Sequence, residues 1–198
     1  MAITVRLKMI KYFSIFILII LEFSVYADNL PTGSNLIKSN FSLIDENNNK
    51  VTQDNYKDQY TLIFFGFSYC AKICPLGLQK MSDVLKKLAS DAELITPLFI
   101  SVDPERDTPE RLKKYTDFFN PKLIGLTGKK EEIENVTKSF RAYYRKISGQ
   151  KEDEYEFDHS SIIYLMNRNG EYLYHLSSVN NTDEVVKEIK NILNKELN

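Results

Sequence analysis

The sequence predicts an α/β fold, a central mixed sheet flanked by helices, with a small hairpin extending it at the N-terminal end. Three observations carry this. Tyr60 to Phe65 is a continuous apolar run closed by Gly66, the pattern of a strand buried on both faces. Leu94 to Val102 repeats that pattern after a stretch with helical periodicity. A hairpin signal at Asn169-Gly170 is followed by a last amphipathic segment. Strands separated by helices bury both sheet faces only if helices cover both.

The elements follow in order. Phe41 to Ile44 alternates, meets Asp45 and the Asn47-Asn48-Asn49 run, and resumes at Val51-Thr52, which predicts a hairpin. Tyr60 to Phe65 is the first buried strand. Leu78 to Leu88 places Met81, Val84, Leu85 and Leu88 at helical spacing. Leu94 to Val102 is the second buried strand. Asp107-Thr108-Pro109-Glu110 is a helix start, with a capping residue, a proline in the first turn and an acid beside it; the helix runs to about Phe119. Leu123 to Leu126 is a short strand, and Glu131 to Tyr143 a helix with Ile133, Val136 and Phe140 on one face. Residues 144–158 are polar and read as an irregular loop or insert. Ser160 to Met166 and Glu171 to Leu176 form the closing hairpin, and Asp183 to Leu197 the last helix. A βαβ unit followed by an antiparallel pair and a final helix is the layout of a thioredoxin-like fold.

Composition narrows the function. The 198 residues hold 26 basic and 27 acidic side chains, which leaves no cationic excess for nucleic acid. Two cysteines are too few for a disulfide-stapled miniprotein or a four-thiolate zinc site. Residues 1–27 read as an address. Arg6, Lys8 and Lys11 precede an apolar run from Tyr12 to Leu21, and Val25 and Ala27 fit the small positions before a cut after Ala27. Counting on to Tyr26, with Glu22 near the interface, also gives a marginal span. Cleaved signal and membrane anchor both stand, and either sends the rest of the chain across the membrane. Residues 28–37 read as a linker and 38–198 as the folded domain.

The chemistry sits at Cys70 and Cys74, in Gly66-Phe67-Ser68-Tyr69-Cys70-Ala71-Lys72-Ile73-Cys74-Pro75. This stretch leaves a buried strand and enters a helix. If it is helical by then, the two cysteines share a face with Cα atoms about 6 Å apart, within disulfide range. A helix N-terminus also favours thiolate. Such a pair can close to a redox disulfide, form a plain structural disulfide, clamp a soft metal ion, or merely pack. Of the two histidines, His159 lies just before a strand and His175 inside one. His159 is the better candidate ligand, because a loop-to-strand junction can aim a side chain at a neighbouring helix start. Two thiolates and an imidazole suit Cu(I) or Cu(II), and also zinc with an open fourth position. Asp158 is a candidate acceptor for the His159 ring, or a solvated turn carboxylate.

These residues also resemble a family. The matching stretches are Phe64 to Cys70 with Cys74-Pro75, Phe99 to Glu110, Gly125 to Gly128, and Asp158 to Met166. Their order and spacing resemble the SCO/SenC family of copper-binding proteins that assist cytochrome c oxidase assembly. The resemblance implies a thioredoxin-like fold, an N-terminal tether or export signal, and one copper held by Cys70, Cys74 and His159. It implies as partners the copper-site subunit of the oxidase and a copper donor protein, on the periplasmic side of a bacterial inner membrane. It implies a chaperone rather than an enzyme. A thiol–disulfide oxidoreductase using Cys70 and Cys74 is the alternative. One departure is visible: the family usually shows a proline and an acid between the cysteines, and here they are Ala71 and Lys72. A cation in place of a carboxylate favours thiolate and works against a cationic metal.

Overall fold

The structure, a computed structural model, describes residues 37–149 and 155–197. The segments read as signal or anchor (1–27) and linker (28–37) lie outside them, apart from Ile37. Among the described residues, no helix is long and apolar enough to cross a membrane.

The first hairpin is β1 (Ser42–Asp45) and β2 (Lys50–Thr52), turned where the Asp45 side chain accepts from the backbone of Asn47 and Asn49 at 2.8 Å each. Next come β3 (Tyr60–Gly66), α1 (Ile73–Leu88), β4 (Ile95–Ser101), α2 (Pro109–Phe119), β5 (Ile124–Thr127) and α3 (Lys130–Phe140). The chain ends with β6 (Tyr144–Ser148), β7 (Tyr155–His159), β8 (Ile163–Met166), β9 (Tyr172–Leu176) and α4 (Thr182–Leu197). Seven of these strands form one sheet in the order β2-β1-β5-β4-β3-β8-β9. β3, β4 and β5 are parallel, and β1, β8 and β9 join antiparallel. The sheet is mixed and the layout is thioredoxin-like, as the element order predicts.

Every residue of β3 is buried. Its alternate side chains serve opposite layers, as the twofold period of a strand requires. Phe64 faces the side of α1, while Phe65 stacks edge-on against Phe140 of α3. α1 lies beside α2 and α4 on the first face. Two glycines set the close approach of α1 to β3. A Cβ at Gly77 would fall 2.5 Å from the Phe64 ring, and one at Gly66 would fall 2.6 Å from the Cys74 sulfur. Both positions tolerate only hydrogen, so the helix start lies directly on the strand end.

The segment 144–158 departs from expectation. It is not an irregular insert: β6 and β7 pair antiparallel, Tyr144 opposite His159 and Ser148 opposite Tyr155. This hairpin forms a sheet of its own. Its apolar side is thin, with only Tyr155, Phe157 and His159 half-buried along β7, between the exposed Glu156 and Asp158. Phe157 meets the ring of Phe67 at 5.5 Å between centroids. A half-exposed strand of that composition carries little hydrophobic signal, and its partner decides its state. α1 also starts at Ile73, a turn before the periodic stretch, so Cys74 is already helical.

Gly77→Ala gives a direct check of the α1–β3 contact. Helix propensity alone would stabilise by about 1 kcal/mol. The fully buried Phe64 ring leaves no room, and overpacking costs about 1–3 kcal/mol. The expected result is a lower denaturant midpoint; a raised midpoint would refute the close approach.

Candidate metal centre

β3 ends at Gly66, and the chain turns through Phe67, Ser68 and Tyr69 to Cys70, whose N–H donates to the Phe67 carbonyl at 3.2 Å. α1 then begins, with Lys72 at its N-cap position making no side-chain cap. A helix start leaves N–H groups without intrahelical partners. Here the Cys70 sulfur takes one of them: the Cys74 N–H donates to Cys70 Sγ at 3.5 Å. Cys70 therefore caps the helix from outside it, and Cys74 sits in the first turn. Cys74 is fully buried over Gly66, whereas Cys70 is half-exposed.

His159 arrives from β7, 85 residues later. Its Nδ1 lies 3.0 Å from the Ser160 carbonyl, which only accepts, so Nδ1 carries a proton. In the neutral ring, Nε2 then presents its lone pair, 3.2 Å from Cys74 Sγ. Phe64 and Phe67 lie against the ring at 6.2 and 5.8 Å between centroids and hold its plane. The three donor atoms, two sulfurs and one nitrogen, lie within 4.8 Å of one another. Metal bonds of about 2.0–2.3 Å span donor triangles with edges of roughly 3.5–4 Å, so a small adjustment seats one ion. Two soft sulfurs and a borderline nitrogen fit a soft or borderline cation.

The two thiols are unequal. The hydrogen bond from the Cys74 thiol draws the Cys70 thiol down to about 3, against the pull of burial; the backbone N–H groups of Cys74 and Lys72 assist. Burial drives the Cys74 thiol upward, and the neighbouring Cys70 charge adds to the effect. One thiolate and one thiol sharing a proton is the stable state of the pair.

The other expected residues lie elsewhere. Asp158 turns from the ring toward Arg145, 3.8 Å away on an exposed edge, and the acceptor at Nδ1 is the Ser160 carbonyl instead. His175 lies between Tyr172 and Tyr174 on β9 and contacts the Tyr172 hydroxyl.

Sequence reasoning missed the part played by residues 103–107. Capping of α2 falls to Thr108, whose hydroxyl accepts from Arg111 N at 3.3 Å. Asp107 is fully buried and does something else. It accepts from the Ser68 N–H at 2.9 Å, from the Ser68 hydroxyl, and from the Ser101 hydroxyl at 2.6 Å. Burial raises its pKa and those hydrogen bonds oppose the rise. Asp107 thereby pins the turn that leads to Cys70. Asp103, 1% exposed, binds the Arg106 side chain and accepts from the Tyr155 hydroxyl of β7 at 2.9 Å. Two acids four apart before a helix were the available signal, but an acid at a helix start ordinarily reads as a dipole partner.

The comparisons with known proteins identify the family. The chain is 39% identical over 171 residues to an SCO2-like protein of Rickettsia conorii, an alignment covering 86% of this chain and 81% of that protein. Among solved structures it resembles Arabidopsis thaliana ScoI with copper bound (TM-score 0.71, 39% identity, 78% of this chain and 99% of that one). It also resembles a member of the Sco family of cytochrome c oxidase assembly proteins in which a disulfide switch was identified (TM-score 0.63, 29% identity, 80% and 95%). The family model for SCO1/SenC matches residues 30–194, most of the chain, and the chain belongs to that family.

Proposed function

We propose that this protein is a metallochaperone that carries one copper ion on Cys70, Cys74 and His159 for the assembly of the copper site of cytochrome c oxidase. The observation that carries the reading is the meeting of three donors within 4.8 Å from stretches 85 residues apart. The copper-bound relative and the family's place in oxidase assembly support it. Thiolate softness suits Cu(I), and the imidazole extends the range to Cu(II). Copper is cargo here. Its arrival displaces the proton that Cys74 holds, so binding releases a proton and tightens as pH rises. Three ligands, two of them half-exposed, leave the ion open to exchange onto donors of a receiving subunit or from those of a donor protein. With residues 1–27 acting as signal or anchor, the domain would work on the periplasmic side of a bacterial inner membrane, tethered or free.

A second reading has its own support. The Cys70 thiolate lies next to a protonated Cys74, and a family member carries a disulfide switch. Cys70 would attack a partner disulfide, releasing one partner thiolate and forming a mixed disulfide. Cys74 would then attack Cys70 and release the second partner thiol. Two electrons pass from the cysteine pair to the partner. His159 is not needed as a ligand in that scheme.

Titration of the reduced protein with Cu(I) against a competing chelator separates the two. The expected result is one tightly held copper per chain, weakened at least about 100-fold in His159→Ala, with disulfide exchange kept within a few-fold. Unchanged copper affinity in that variant would sink the three-ligand site. Alkylation by iodoacetamide, resolved by mass spectrometry, tests the thiol asymmetry. Because the Cys70 thiol is drawn down to about 3, its rate should be flat from about pH 5 to pH 8, with Cys74 unreactive. An ordinary thiol would gain about tenfold per pH unit over that range. Such a rise at Cys70 would show that no hydrogen bond holds its charge.

A further inference from the structure

We propose that Arg106 is the positioning residue that fixes His159 against the two sulfurs, by latching the β6–β7 hairpin onto the turn that carries Cys70. The inference rests on the three-donor reading of the site. A two-stranded hairpin standing apart from the main sheet has little stability of its own. It must be held by contacts across it, and His159 is its last residue.

Arg106 makes contacts on both sides of the gap. Its guanidinium lies 3.6 Å from the centroid of Tyr155, four residues before His159 on β7, and its Nη1 donates to the Tyr155 carbonyl at 3.0 Å. The same group lies 4.5 Å from the ring of Tyr69, the residue before Cys70, and 5.9 Å from Phe67. Its Nε is bound by the buried carboxylate of Asp103, which also accepts the Tyr155 hydroxyl. A buried carboxylate needs a cation with several donors, and this one aims that cation at β7. The planar fork does what a lysine cannot: it pairs with Asp103, donates to a carbonyl and stacks on rings at once. The remaining ties are weaker or sit elsewhere on the hairpin. The Lys146–Glu105 pair, 3.0 Å, is exposed, and Phe157 supplies the one large apolar contact with Phe67. Arg106 is the one charged side chain among these that touches both the strand bearing His159 and the turn bearing Cys70, beside the apolar Phe67–Phe157 contact.

Two variants test this. Arg106→Gln removes the cation. Arg106→Lys keeps a charge for Asp103 but loses the fork and the stacking, which guards against a variant that simply fails to fold. In the metal-free, reduced protein, amide hydrogen exchange should speed up in 144–148 and 155–159 in both variants, while α1 and α2 stay as protected as before. With Cu(I), each variant should lose roughly 10–100-fold in affinity. In a His159→Ala background neither should lose more than a few-fold, because the ligand that Arg106 positions is already gone. The nitrogen coupling in the Cu(II) spectrum should weaken in the variants with His159 present. Unchanged hairpin exchange overturns the latch. An equal loss of affinity with and without His159 also overturns it, because Arg106 would then act through the cysteines. If the parent protein held no copper tightly, the three-ligand reading would fall, and hydrogen exchange would still decide the latch.

Discussion

A sulfur atom lying directly on a strand end is the constraint from which the rest of the site follows. Cys74 Sγ and Gly66 are so close that not even a methyl group fits between them. That contact removes Cys74 from water, and burial makes its ionisation costly. Its proton is then offered to neighbours, to Cys70 and to the imidazole of His159. Cys70, on the solvent side and at the open start of α1, takes the charge. One close approach thereby sorts two chemically identical side chains into a thiolate and a thiol.

That sorting bears on the two chemistries available to the pair. A metal ion and a disulfide use the same sulfurs, so each excludes the other. Either requires Cys74 to surrender its proton, and the half-exposed Cys70 meets a partner first. The imidazole offers a third donor beside the sulfurs, because its Nε2 faces Cys74 Sγ with a lone pair and its Nδ1 is committed to a backbone carbonyl. Lys72, between the cysteines, stands at the N-cap position of α1. Its positive charge at the helix start acts in the same sense as the N–H groups that favour thiolate.

The fold places these groups where parallel strands end and loops gather, the usual location of sites in α/β proteins. Two buried acids organise the loops there. Asp107 holds the Ser68 turn, and Asp103 gathers Arg106 and Tyr155. Neither acid is a member of the donor cluster. Their burial is offset by hydrogen bonds that run to both halves of the site. The short apolar face of the β6–β7 hairpin makes these polar ties necessary, since only Tyr144 and Phe157 among its described apolar residues pack against the core, both of them partly buried.

Most of the architecture was legible in the sequence, because burial on both faces writes itself as unbroken apolar runs, and helices as a 3.6-residue period. Tyr60 to Gly66, the helix beginning beside Thr108-Pro109 and the Asn169-Gly170 turn are all local signals. The two cysteines and His159 were legible as residue types suited to a soft metal, and the matched stretches indicated the family. The sequence did not reveal the β6–β7 hairpin, since Tyr155, Phe157 and His159 alternate with charged residues and depend on a partner strand. It did not separate Cys70 from Cys74, which differ only in what surrounds them. It left Asp158 open between acceptor for the imidazole and solvated carboxylate; the carboxylate is exposed, and the backbone carbonyl of Ser160 is the acceptor. Local pattern determined which elements form and which donors exist. Only the tertiary structure decided their protonation, orientation and support, because desolvation and hydrogen bonding depend on neighbours that are distant along the chain.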